Sequence, residues 1–305
     1  MAVSGAFDII PIAFLDSRFT ENRVSEQDTR RARVGHSPDP DDAFMFYGIA
    51  SGAVDTAGFE IEQILGDIES LNRRALAGEL EVSAVSIHAY PHLASRYALM
   101  HCGASMGDGY GPCVIAESAF PIDELVKKTI AVPGTLTSAY LALRLLLGQE
   151  FHHEVVPFDL IPEAVKSGRV DAGLIIHESQ ITYRDEGFEL IVDLGVWWRE
   201  RTDGLPLPLG GNVVRKDLGQ EKIATLTRIL KESIDYGLQH REPALKYALE
   251  FGRGLDTELT DRFVGMYVND LTRDYGERGR AAITRFLDEG SAAGIVPRID
   301  TVEFV

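Results

Sequence analysis

Two cysteines in 305 residues, Cys102 and Cys113, leave no disulfide framework and no C-x-x-C pair for metal or redox chemistry. Basic residues are also scarce: 30 Lys and Arg stand against 47 Asp and Glu, a formal net charge of −17. A surface of that sign repels nucleic acid and anionic membrane, so neither is an expected partner. No apolar run approaches the ~20 residues of a membrane span. The apolar stretch over 9–15 follows Asp8, with no basic region before it and no cleavage pattern after it, so it does not read as an export signal. The cytoplasm is the expected compartment. Proline and glycine are not in excess, and the chain shows no repeat and no low-complexity tract.

What is present is an ordinary globular composition, 45% hydrophobic and 25% charged, in a chain long enough for two domains. Residues 1–32 read as a poorly ordered extension, because 16–33 is polar and charged. Beyond it, short apolar runs alternate with helical periods. Strands are expected over 33–36, 59–65, 82–87, 112–116, 129–132, 172–176 and 189–194. Helices are expected over 43–50, 67–77, 90–97, 137–147 and 161–167. The last third, from 221 on, is mainly helical. Strands alternating with helices predict an α/β fold with parallel or mixed sheets and helices on both faces, and two such blocks predict two lobes with the ligand between them. The boundaries read as 33–112 with 212–305 for a discontinuous first lobe and 113–211 for the second.

Several constellations could carry chemistry. Thr137 and Ser138 lie between a strand and a helix, where free N–H groups and hydroxyls hold a carboxylate or a sugar hydroxyl. One of them could equally be a plain N-cap. His177 ends the apolar run Gly173-Leu174-Ile175-Ile176, where α/β clefts collect reactive groups, and imidazole suits proton transfer near neutral pH. A structural histidine bonded to backbone is the competing reading. His177-Glu178 lacks the second His of a H-E-x-x-H zinc helix, since Ile181 stands there. Asp39, Asp41 and Asp42 in His36-Ser37-Pro38-Asp39-Pro40-Asp41-Asp42 read as caps of the following helix, with Ser37 and Asp41 as candidate ligand contacts. The glycine-rich run 107–112 has no Lys and so is no phosphate loop; it reads as a crossover between lobes. His88 and His92 are separated by Pro91 and lack a third ligand, and His152-His153-Glu154 reads as a solvated loop. No metal is expected at either.

The run Gly173 to Tyr183, with Ile176-His177-Glu178-Ser179 at its centre, resembles the signature of the 1,4-dihydroxy-6-naphthoate synthase family of menaquinone biosynthesis. So do Val192-Asp193-Leu194-Gly195-Val196-Trp197-Trp198, the run through Arg201-Thr202 to Gly210, the loop Ser37 to Asp42 with Phe44 and Phe46, and Tyr267-Val268-Asn269. The likeness covers roughly 33–305. It implies a type II periplasmic-binding-protein-like fold and a lyase that converts cyclic dehypoxanthine futalosine to 1,4-dihydroxy-6-naphthoate without metal or organic cofactor. His177 falls on the family's proposed proton acceptor. Ser138 and Ala139 fall on its substrate-contacting helix start, and Ala84, Val85 and Ser86 on its other contacting stretch. The implied partner is a small anionic substrate, and a homodimer is the assembly to test for.

Departures accompany the likeness. The family's first loop commonly reads Ser-Pro-Cys-Pro-Asn-Asp-Thr, and here Asp39, Asp41 and Ala43 replace Cys, Asn and Thr. Relatives can carry Lys where this chain has Ala84. Both changes make the cleft less favourable to an acid. The alternatives are a related lyase such as chorismate dehydratase, which fits the His177 run less well, and a small-anion binding protein of the same fold.

Overall fold

The computed structural model describes residues 30–148, 150–252 and 255–305. Of the expected extension, 1–29 lie outside the described residues, and Arg31 already begins the first strand. The chain runs β1 (Arg31–His36), α1 (Pro40–Ala50), β2 (Glu60–Leu65), α2 (Ile68–Ala77), β3 (Val82–Ser86), α3 (Tyr90–Leu93), β4 (Tyr97–Leu99) and β5 (Ser105–Gly107). It then crosses to β6 (Cys113–Ala116), β7 (Ile130–Val132), α4 (Ser138–Leu147), β8 (His153–Val155), α5 (Ile161–Lys166), β9 (Ala172–Ile175), α6 (Ser179–Thr182), β10 (Glu189–Asp193) and α7 (Leu194–Arg201). It returns through β11 (Leu207–Arg215) and closes with α8 (Gln220–Gln239), α9 (Arg241–Leu249), α10 (Thr257–Tyr267), α11 (Asp270–Arg273) and α12 (Gly276–Ala292).

Two mixed sheets result. The first has the order β2-β1-β3-β11-β4, with β5 also on β11, and the second β10-β6-β9-β7-β8. In each, parallel pairs (β1 with β2 and β3; β7 with β8 and β9) meet antiparallel strands (β11; β6 and β10). The first sheet is therefore built from chain on both sides of the second. The chain passes between them at the glycine-rich run after β5 and again between α7 and β11.

Strand β11 begins inside the proline-rich run over 205–209. Pro208 stands where the β5–β11 register shifts, a place where a missing N–H is tolerated. Its longer second half pairs Gly210, Gly211 and Asn212 with Ser86, Val85 and Ala84 of β3. His153 and Glu154 belong to the edge strand β8 and not to a loop. The expected helix over 90–97 is only the short α3, after which Tyr97 enters β4.

Helix α1 begins at Pro40, whose fixed φ suits a first turn, and Asp41 and Asp42 complement the dipole there. Beyond its acidic first turn it is apolar and mostly buried, with Phe44, Met45 and Phe46 in a core shared with α8, α9 and β1. A second core joins β3, β4 and β11 to β6, β7, α4, α7 and α12, so one apolar mass runs beneath both sheets. Trp198 lies in it with Nε1 donating to the Pro206 carbonyl at 3.1 Å and its face toward the edge of Phe286. This common base leaves the facing ends of the two sheets to form a cleft.

Candidate active site

The cleft contains a cavity of about 110 Å³. Its walls are the β1–α1 loop, the carboxyl ends of β3 and β9, the middle of β11, the start of α4, and Phe263 and Tyr267 of α10. Every residue expected to touch the substrate lines it: Ser37, Asp41, Ala84, Val85, Ser86, Thr137, Ser138, Ala139 and His177; the histidines His88, His92, His152 and His153 do not. Sequence positions more than a hundred apart converge because both sheets present their strand ends to one opening.

His177 stands two residues past the end of β9, and its side chain is 12% exposed. Its Nδ1 lies 3.2 Å from Oδ2 of Asp39. Its Nε2 is buried and makes no hydrogen bond within the protein. Phe158 sets its ring against the imidazole at 4.0 Å between centroids and 62° between planes, fixing the ring's tilt. The backbone carbonyl of His177 accepts from the Gln180 amide at 2.9 Å, the first turn of α6.

Asp39 and Asp42 depart from the capping role expected of the first loop. Asp39 occupies the N-cap of α1 but makes no side-chain cap hydrogen bond; its carboxylate turns toward His177. Asp42 reaches back to accept from the Ser37 amide at 2.7 Å and so closes the loop on itself. Asp41 is buried beside the Ser105 hydroxyl, 3.4 Å away. Burial above all, then the neighbouring carboxylates of Asp42 and Asp39, pushes the Asp41 carboxyl well above the usual range. Burial also raises Asp42, against the opposing pull of His36 and the Ser37 amide. His36 stacks on Phe46 at 4.3 Å and bonds Gln63 at 2.9 Å, so its ring is structural.

The opposite wall settles which hydroxyl of α4 caps. Thr137 accepts from the Tyr140 amide at 3.2 Å and donates to the Gly134 carbonyl at 2.9 Å. Ser138 uses its hydroxyl differently, donating to the Leu209 carbonyl of β11 at 2.6 Å and accepting from the His88 amide at 3.1 Å. It thereby ties the second sheet's helix to the first sheet's strands. Ser86 is held by Asn72, whose side chain accepts from its amide at 2.8 Å and donates to its hydroxyl at 3.0 Å. His88 donates from Nδ1 to the Thr137 carbonyl, 3.0 Å away, and burial holds its imidazole down at about 4.

Sequence reasoning passed over Asp39 as a ligand-side group, and also Ser105, Asn212 and Phe263. Asn212 donates to the Gly103 carbonyl at 2.9 Å; Gly103 has φ of 77°, and a Cβ there would stand 2.5 Å from the Asn212 amide nitrogen. Tyr267 donates to Gln180 Oε1 at 2.7 Å, which links α10 to the segment after His177. A polar residue at each end of a strand pair carries no signature in one sequence; only the Tyr267-Val268-Asn269 match hinted at this corner. Among the described residues lining the cavity, none is Lys or Arg.

Asp39, His177 and Glu178 bring ligand-type atoms within 4.8 Å of one another, a donor set of the kind that holds a divalent cation. The thiols of Cys102 and Cys113 are buried and free, and burial raises both well above their ordinary range. Among the described residues, no helix is long and apolar enough to cross a membrane.

Two α/β lobes around a cleft define a periplasmic-binding-protein-like fold. The alkanesulfonate-binding protein SsuA of Xanthomonas axonopodis, solved with MOPS, shares that fold at a TM-score of 0.66 and 14% identity, over 88% of this chain and 95% of its own. A much nearer structure, of a protein from Archaeoglobus fulgidus, reaches a TM-score of 0.84 at 46% identity, over 88% of this chain and 99% of its own. The chain belongs to the menaquinone biosynthesis family, whose model matches residues 32–292. The 1,4-dihydroxy-6-naphthoate synthase of Thermus thermophilus is 41% identical over 263 residues, 86% of this chain and 95% of the relative. The enzyme of that name from Streptomyces coelicolor is 36% identical over 272 residues, 88% of this chain and 95% of the relative.

Proposed function

We propose that this chain is a 1,4-dihydroxy-6-naphthoate synthase, a carbon–carbon lyase of menaquinone biosynthesis acting in the cytoplasm on cyclic dehypoxanthine futalosine. His177 is its general base. The observation that carries the assignment of the base is the buried Nε2 of His177, which has no protein partner, on a residue that lines the cavity. Family membership and relatives of that name at 41% and 36% identity support the reaction.

The chemistry follows from the residues. Nε2 takes the proton of a substrate hydroxyl, the alkoxide collapses to a carbonyl, and the adjacent C–C bond breaks in a retro-aldol sense. The fragment that carries the new carbonyl departs, the ring takes the electron pair as an enolate, and the imidazolium of His177 returns the proton; the aromatic naphthoate that results makes the step favourable. General-base catalysis contributes roughly 10²–10⁴-fold, and the remainder comes from holding the substrate in one geometry in a cleft that excludes water. The acidic end of the cavity, with Asp39, Asp41 and Ser37, suits hydroxyl groups of the substrate, which donate to carboxylates. Its carboxylate belongs at the other end, near the start of α4, where the helix dipole is positive. Ala84, Val85, Ser86 and Ala139 shape the wall between.

Incubation of the purified protein with cyclic dehypoxanthine futalosine tests the assignment. Mass detection of 1,4-dihydroxy-6-naphthoate is the expected result; unchanged substrate would overturn it.

A further inference from the structure

The proposed base does not stand alone in its lobe. Its Nδ1 faces a carboxylate carried by the other sheet: Asp39 belongs to the β1–α1 loop and His177 to the end of β9, yet Oδ2 and Nδ1 are 3.2 Å apart. Asp39 is almost wholly buried, 3% exposed, at an N-cap where an aspartate ordinarily turns to the first-turn amides. Here it gives up that bond. Pro40 holds the next residue in the helix and keeps Asp39 extended, with φ −114° and ψ 154°, so its carboxylate leaves the helix axis and reaches across the cleft. Phe158 restrains the imidazole from another side.

We propose that Asp39 is the positioning residue of the base, holding the His177 proton on Nδ1 so that Nε2 offers its lone pair to the substrate. A carboxylate accepting from Nδ1–H fixes both tautomer and ring orientation, and it balances the positive charge that appears when Nε2 takes the substrate proton. Because the two partners come from different lobes, the base is complete only when the lobes are closed. An open form would present a histidine free to rotate and to adopt the other tautomer, so closure on substrate switches the base on. This inference rests on His177 being the base.

The test uses the full chain with Asp39→Asn, Asp39→Ala, His177→Gln and the Asp39→Ala/His177→Gln double variant. Asparagine preserves the shape of the buried side chain, and circular dichroism verifies the fold of each. The expected result is a kcat lowered by about 10²-fold or more in Asp39→Asn and Asp39→Ala, with KM changed less than a few-fold. The double variant should be no slower than His177→Gln, because both residues serve one function. In proton NMR, a downfield imidazole N–H resonance of the native protein should vanish in both Asp39→Ala and His177→Gln. An Asp39→Ala enzyme with native kcat, beside an inactive His177→Gln, would overturn the positioning role and leave the base assignment standing. A fully active His177→Gln would remove both.

Discussion

Tyr267 of α10 donates its hydroxyl to Gln180 of α6 at 2.7 Å, joining the C-terminal helices of the first lobe to the segment that follows His177. Both side chains are buried, and Tyr110 sets its ring edge-on to Tyr267 from the crossover run. The bond lies beside the cavity, which Tyr267 also lines.

Tyr267→Phe removes that hydroxyl and little else. A buried hydrogen bond contributes about 0.5–1.5 kcal/mol, and leaving Gln180 without it adds to the cost. The bond exists only with the lobes together, so the loss should appear as a several-fold rise in KM with a smaller change in thermal midpoint. Steady-state kinetics beside a melting curve check this; an unchanged KM would mean that the bond is structural alone.

Ser138→Ala should cost stability as well as binding. The Ser138 hydroxyl is engaged by the Leu209 carbonyl and the His88 amide, so its loss strands one half-buried and one buried backbone group. A destabilisation of about 1–3 kcal/mol is expected, readable as a lower denaturant midpoint. Thr137→Ala, which removes the cap of α4, should cost about 1 kcal/mol and leave KM nearly untouched.

His88 gives a pH signature. Its imidazole is held at about 4 by burial, whereas the unfolded chain binds the proton near 6.5. The folded state therefore prefers neutral His88, and the stability this provides is complete above 6.5 and lost as pH falls from 6.5 towards 4. The contribution is on the order of 3 kcal/mol. Asp41, raised by burial, acts in the opposite direction, since its stabilisation is lost as pH rises. Comparison of His88→Gln with the native protein across this range isolates the histidine: the variant should lose less stability on acidification.

Chelation should leave turnover intact. The reaction written here asks nothing of the Asp39–His177–Glu178 donor set beyond proton transfer and its orientation. Activity assayed after exhaustive EDTA treatment checks this, and loss of turnover restored by a divalent cation would reassign those three residues as ligands.

Much of this site was legible in the sequence because strand-end positions are marked by composition. The run Gly173-Leu174-Ile175-Ile176 announces a buried strand, and a histidine directly after it must emerge at the carboxyl end of that strand. The Val132-Pro133-Gly134 turn announces a helix start in the same way, although which of Thr137 and Ser138 caps it depends on contacts with β11. That strand was itself obscured. Pro208 and the Gly210-Gly211 pair are poor strand formers, and only tertiary pairing with β3, β4 and β5 holds them extended. Asp39 was misread for a related reason. At an N-cap, local chemistry favours capping, and the histidine that draws the carboxylate away lies 138 positions further along the chain.

Turnover depends on the imidazole of His177, and single-turnover kinetics of His177→Gln with cyclic dehypoxanthine futalosine test this dependence most directly. The variant should fold and bind the substrate within a few-fold of the native affinity, while release of 1,4-dihydroxy-6-naphthoate slows by about 10²-fold or more. Native-rate release from that variant would contradict it.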